Sequence, residues 1–170
     1  NVASSTGGTV TLVAGDDILH TGGTISSTGG ADNRVIMTAD NEGAGVVDGD
    51  RGGITQSGTA TLTADEVVFR SSENVNYAVA GNNVATVAGN VTGTNASLTY
   101  VDADAVAVGV VDSVTGITTT DGSVTVTSAA GGVTVGSGIT AGSTSVAGNV
   151  NLTGANGVTV NAAISAADDL

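Results

Sequence analysis

Residues 122–164 read GSVTVTSAAGGVTVGSGITAGSTSVAGNVNLTGANGVTVNAAI. Within this stretch Val124-Thr-Val126, Val133-Thr-Val135 and Ile139 are followed by Val150-Asn-Leu152, Val158-Thr-Val160 and Ile164. Apolar and polar residues alternate over a few positions and then stop at Gly, Asn or Ser, which is a strand-and-turn signature. Three short strands and their tight corners fill roughly 25 residues, and the set then repeats. Such a unit cannot bury its apolar side alone and does so only by stacking on its neighbours.

Working outward, the same triplet signature begins at Val10, Val35, Ala60, Leu98, Val124 and Val150, at offsets of 25, 25, 38, 26 and 26 residues. A second strand follows in each unit: Ile18-Leu-His20, Val46-Val47, Val67-Val-Phe69, Val106-Ala-Val108, Val133-Thr-Val135 and Val158-Thr-Val160. Ile25, Ile54, Ile117 (or its neighbour Val114), Ile139 and Ile164 open a third. The expected fold is all-β: a right-handed parallel β-helix, or β-solenoid, of about six coils with three strands per coil. Residues 1–170 form one segment, with coils starting near 10, 35, 60, 98, 124 and 150. The third unit is about a dozen residues long in excess. Its extra segment, about 77–94, is either a protruding loop or an additional irregular half-coil. At ~4.8 Å per coil, six coils span about 29 Å of rod.

Composition agrees with a narrow interior. Apolar residues make up 40%, but aromatic residues only 2% (Phe69, Tyr77 and Tyr100). Val, Ile, Leu and Ala must therefore fill most of the core. A mean hydropathy of +0.30 with regular alternation argues against disorder, although Gly, Ser, Thr and Asn are abundant. The middle residue of each triplet should face outward. Thr11, Ile36, Thr61, Thr99, Thr125 and Asn151 would then form one external column.

The net charge is −13, from 16 acidic residues against three Arg, with no Lys. Phosphate affinity depends on Lys and Arg, so nucleic-acid binding is not expected. No apolar run approaches the ~18 residues of a membrane span. The charge is uneven, with none from Gly122 through Ala167. There is no Cys and therefore no disulfide framework. Without an initiator Met or signal peptide, and with both ends inside the repeat rhythm, the chain reads as a segment of something longer.

The corner after the first strand is acidic in four consecutive units: Asp16 and Asp17, Asp40, Asp65 and Glu66, then Asp102 and Asp104. Stacking would set these carboxylates in one column, about a strand spacing apart, where they repel unless a cation intervenes. They are the candidate ligands for Ca²⁺, which takes six to eight oxygens. Asp is also an ordinary turn residue on a solvated corner, and the Gly-Gly-x-Gly-x-Asp pattern of calcium-binding β-rolls is missing. The expectation is no cofactor, with Ca²⁺ the one candidate. A second acidic stretch, Asp40, Glu42, Asp48, Asp50 and Arg51, reads as a solubilising bulge rather than a ligand site.

Catalysis is not expected. Glycoside hydrolysis needs two positioned carboxylates, and lyase chemistry needs a basic proton acceptor, yet the one His, His20, ends a strand and is expected to be an exposed edge residue. No G-x-S-x-G, Walker-type loop or zinc-spaced His/Cys set occurs. Thr pairs at 9/11, 59/61 and 125/127 leave the other coils unfilled, which weighs against an ice-binding array. Sequons at Asn90, Asn95 and Asn151 are expected by chance in a chain rich in Asn and Thr.

The runs quoted from Gly122 to Ile164, with Val35-Ile-Met-Thr-Ala-Asp40 and Ala60-Thr-Leu-Thr-Ala-Asp65, resemble the repeats of filamentous-haemagglutinin-type adhesins. That resemblance implies an extracellular, outer-membrane-associated location on a bacterial cell and a structural shaft. Its partners would be itself, end to end or within a longer chain, and a host or surface glycan or receptor. It brings no catalytic residues. The alternatives are a calcium-responsive glycan- or receptor-binding module and, behind it, a polysaccharide-active enzyme.

Overall fold

The computed structural model describes residues 1–40, 51–143 and 147–167. In chain order the strands are β1 (Val2–Ser4), β2 (Gly8–Val13), β3 (Ile18–His20), β4 (Thr24–Ser27), β5 (Asn33–Thr38), β6 (Ile54–Gln56) and β7 (Thr61–Ser71). They continue as β8 (Val75–Tyr77), β9 (Asn83–Val91), β10 (Leu98–Asp102), β11 (Val106–Val108), β12 (Val110–Val111), β13 (Val114–Thr115) and β14 (Ile117–Thr119). The last are β15 (Val124–Ser128), β16 (Val133–Val135), β17 (Ile139–Ala141), β18 (Val150–Gly154), β19 (Val158–Val160) and β20 (Ile164–Ala166). The described residues contain no helix, and every strand pairing except β12 with β13 is parallel.

The parallel pairings define three faces, visited in the same order on each circuit of the chain. The first face runs β1-β4-β7-β9-β11-β16-β19. The second runs β2-β5-β7-β9 and then β14-β17-β20. The third, a separate six-stranded sheet, runs β3-β6-β8-β10-β15-β18. Strands β7 and β9 are long enough to turn the corner between the first two faces, which joins those faces into one twelve-stranded sheet. This is an all-β, parallel, solenoid-like winding.

Period-2 alternation fixes what each face buries. In β15 Val124, Val126 and Ser128 are buried while Thr125 and Thr127 are half-exposed. Down the third face, Ile18, Ile54, Val75, Leu98, Val124 and Val150 stack in register as one inward column. On the second face the column is Leu12, Met37, Phe69, Gly89, Ile117, Ile139 and Ile164. Each fully buried Val, Leu or Ile contributes about 1.5–3 kcal/mol, so these columns carry most of the stabilisation. The three aromatic residues are fully buried together: the Phe69 ring centroid lies 5.2 Å from Tyr77 and 6.0 Å from Tyr100.

Register corrects the sequence expectation in two respects and decides between two alternatives in a third. The six signature triplets do not share a face. Val10 and Val35 pair on the second face, Ala60 leads into the first, and Leu98, Val124 and Val150 pair on the third. The expected Thr column splits accordingly: Thr11 sits beside Ile36, Thr61 beside Thr24, and only Thr99, Thr125 and Asn151 continue one another. Circuits are also unequal, with Val67 to Val87 taking only 20 residues. Of the two alternatives for the segment 77–94, the structure shows the additional coil and not the protruding loop. Its β9 pairs with β7, β11 and β14, adding a circuit, so two faces hold seven strands and the third six. The second strand expected at Val46-Val47 lies outside the described residues, as do Glu42, Asp48 and Asp50.

The one antiparallel element is a hairpin of β12 and β13 between β11 and β14. Its turn residues, Asp112 (φ 45°) and Ser113 (φ 68°), both take the left-handed conformation that tight two-residue hairpins need. Val114, read as an alternative third-strand residue, belongs to this hairpin, while Ile117 occupies the ladder.

Candidate functional site

The acidic residues are distributed over three corners, so the single carboxylate column does not form. Asp16, Asp17 and Asp40 lie between the second and third faces. There the Asp40 N–H donates to the Asp16 carbonyl (3.3 Å), and the Gly53 N–H donates to Asp17 Oδ1 (2.8 Å). Asp65 and Glu66 sit in β7 where it bends from the first face to the second. Asp65 accepts from Asn33 Nδ2 (2.8 Å), and Glu66 is paired in register with Arg34 at 2.6 Å. A half-exposed pair of this kind contributes roughly 0.2–1 kcal/mol. Asp102 and Asp104 belong to the corner between the third and first faces. Among the described residues, no three His, Cys, Asp or Glu lie close enough to hold a metal ion.

Asp102 is not a solvated corner residue. It continues the inward parity of Leu98 and Tyr100 and is completely buried. Its Oδ2 accepts from Tyr100 Oη (2.7 Å) and the Val84 N–H (2.9 Å), and its Oδ1 accepts from the Asp104 N–H (2.9 Å). Burial pushes the Asp102 carboxyl above its usual range, and the three donors pull it partly back. Burial, reinforced by the neighbouring Asp102 charge, holds the Tyr100 hydroxyl well above its ordinary value.

His20 is likewise inward rather than an exposed edge, at 8% exposure. Its Nε2 faces the Gly23 carbonyl (3.1 Å) and must donate to it, so in the neutral ring Nδ1 accepts from Tyr77 Oη (2.7 Å). Burial lowers the His20 pKa below 6.5, which favours this neutral form. Burial also raises the Tyr77 hydroxyl. Between these two pairs lies an amide couple. Gln56 Nε2 donates to Asn82 Oδ1 (2.6 Å) and to the Ala60 carbonyl (3.1 Å), and Asn82 Nδ2 donates to Gln56 Oε1 (3.0 Å) and the Val101 carbonyl (3.0 Å). Ser128 then bonds the Asp104 carbonyl. The result is a polar seam along the end of the third face, with its members bonded to one another or to backbone.

What the seam can do chemically follows from those bonds. Leaving a buried donor or acceptor unpaired costs about 1–3 kcal/mol, and here each titratable group is held by named partners, His20 included although its ring borders a cavity. A cavity of about 510 Å³ opens beside β1 to β4, lined by Val2, Leu12, Ile18, His20 and Ile25 among others. It is the mouth of the interior columns. The exposed large apolar residues fall chiefly in the first three and last two strands: Val2, Val13, Leu19, Val158, Val160 and Ile164. The sequence passed over His20, Gln56, Asn82 and Ser128 as seam members. The signal for His20, Gln56 and Ser128 was available, since each holds the inward parity of its strand.

No protein-family model, curated protein or solved structure matches this chain. Among the described residues, no helix is long and apolar enough to cross a membrane.

Proposed function

We propose that the chain is a stretch of right-handed parallel β-helical shaft, three strands per coil, serving as the structural rod of an extracellular bacterial surface fibre or adhesin. The observation that carries the reading is the register itself: three parallel ladders whose inward columns continue from circuit to circuit. Two further features support it. The buried Tyr77, Tyr100 and Asp102 are bonded to neighbouring residues, and His20, which borders the cavity beside β1 to β4, has both ring nitrogens engaged by Tyr77 and Gly23. Val2 in the first row and Val158, Val160 and Ile164 in the last are further rungs of the inward columns, and among the described residues they stand beside unpaired strand edges, which template more pairing. The shaft extends by coil stacking, within a longer chain or between copies, and displays its faces to a surface glycan or receptor. It has no catalytic role in this reading.

Sedimentation across a wide concentration range, with electron microscopy of the product, tests the assembly. Axial rods that lengthen with concentration are expected. A species that stays a single compact monomer at high concentration refutes stacking between copies. A calcium-responsive glycan- or receptor-binding module is the second reading; Asp16, Asp17 and Asp40 share one corner, although they do not converge as a three-carboxylate cluster. Calorimetric titration with Ca²⁺ decides it: binding heat with a raised melting temperature at millimolar Ca²⁺ supports it, and silence on both sinks it.

A further inference from the structure

The outer surface of the second face carries an apolar column where the rest of that surface is largely polar. Ile36, Val68 and Ala88 are register partners on β5, β7 and β9, and they point away from the main core. Val68 and Ala88 are nevertheless completely buried. The β12–β13 hairpin covers them: Val111 is also fully buried, and Val114 packs on the same small cluster, which is separate from the main core.

The hairpin is tied down at both ends. At its base the Gly109 N–H donates to the Val87 carbonyl (3.1 Å), the Gly116 N–H to the Gly109 carbonyl (2.8 Å), and the Gly89 N–H to the Gly116 carbonyl (3.0 Å). At its tip Arg70 Nη2 donates to both the carbonyl of Asp112 (2.6 Å) and its Oδ2 (2.7 Å). Val87 and Gly89 belong to β9 and Arg70 to β7, whereas the hairpin is part of the following circuit, on the way into β14. It therefore reaches back along the axis across rows of strands joined chiefly by ladder hydrogen bonds and core packing.

We propose that the Val110–Thr115 hairpin is an external strap that couples the circuit of β14 to those of β9 and β7, so that these rows open together instead of one at a time. A stacked solenoid is held chiefly by nearest-neighbour terms. The strap adds a term that spans more than one neighbour.

Amide hydrogen exchange on the intact chain tests this, because it reads opening row by row. Two variants attack the contact from opposite sides: Arg70→Gln removes the cation on β7, and Val111→Thr puts a hydroxyl into the covered cluster with little change of shape. Both are expected to speed exchange in residues 109–116 and in the second-face halves of β7 and β9: Val111→Thr by about tenfold, as for a buried unpaired hydroxyl, and Arg70→Gln by about threefold, as for a half-exposed ion pair. Amides of β16 and β19 keep their wild-type rates. Faster exchange confined to the hairpin, with β7 and β9 unchanged, overturns the proposal. So does uniform acceleration over the whole chain, or no change in either variant.

Discussion

Replacing Tyr100 by Phe removes one oxygen from the interior and leaves the ring in place. That oxygen donates to Asp102 Oδ2 at 2.7 Å, and both residues are fully buried. Asp102 then keeps only the Val84 and Asp104 backbone donors. A hydrogen bond to a charged group is worth about 1.5–3 kcal/mol, against roughly 0.5–1.5 for a neutral one, so the loss depends on whether Asp102 is ionised. Its carboxyl already titrates above 3.8 in the folded chain because of burial, so the native state holds that proton more tightly than the unfolded state. Stability from this group therefore falls as pH rises from the unfolded value through the folded one. Removing the Tyr100 donor raises the folded value further, which extends the fall. Tyr100→Phe should lose about 2 kcal/mol near neutral pH and about 1 kcal/mol in acid, where Asp102 is protonated in both states. Urea unfolding followed by circular dichroism at the two pH values measures this, and the neutral-pH loss corresponds to a drop of roughly 4–8 °C in melting temperature. A variant as stable as wild type at neutral pH refutes the buried charge-assisted bond. An equal loss at both pH values refutes the ionised state of Asp102.

The His20–Tyr77 pair predicts the opposite slope. His20 titrates below 6.5 in the folded chain, so protons bind the unfolded state preferentially, and stability is lost as pH falls from about 6.5 toward the folded value. His20→Gln, which keeps an acceptor for Tyr77, should flatten that step in a melting-temperature profile; a step of unchanged size would assign it to another group. Gly116 takes φ +73°, and a Cβ there would run into the Gly138 carbonyl at the entry to β14 and β17. Gly116→Ala should cost at least about 1–2 kcal/mol from handedness alone, and full wild-type stability in thermal unfolding would contradict the close approach of these two circuits.

The class of fold was legible because alternation and punctuation are local. The face to which each triplet belongs was not. Val10-Thr-Leu12, Ala60-Thr-Leu62 and Val124-Thr-Val126 look alike in sequence and lie on three different faces, since every face asks the same thing of its strands: apolar in, Thr or Asn out. Near-equal spacing then aligned strands that never touch, and it left β9, a laddered strand with Ala, Gly and Asn among its residues, undecided between a loop and an additional half-coil. The polar seam was misread for a related reason. Strand parity places His20 two residues after Ile18 and Asp102 two after Tyr100, hence inward, but residue type suggested water. The real projection, at Val110–Thr115, was hidden because Val-Val and Val-Thr at a two-residue turn differ little from the ladder strands around them.

That indifference of the apolar columns gives the seam its physical importance. In a parallel ladder a slip of two residues sets Val on Val or Leu again, so hydrophobic burial alone discriminates weakly between registers. The polar pairs discriminate strongly. Gln56 satisfies Asn82 only when β6 is in place beside that turn, Asp102 reaches the Val84 N–H of β9 only when β10 is at its present height, and His20 meets Tyr77 across the row of Gln56. Each mismatch would strand a buried donor or acceptor at about 1–3 kcal/mol. Six of the seam residues, His20, Gln56, Tyr77, Asn82, Tyr100 and Asp102, occur on the circuits that are least regular in length, from β3 to β10. Among the described residues, the regular circuits of β15 to β20 carry no such charged or amide pair inside. Register is keyed by polar groups where spacing varies, and left to repetition where spacing is uniform.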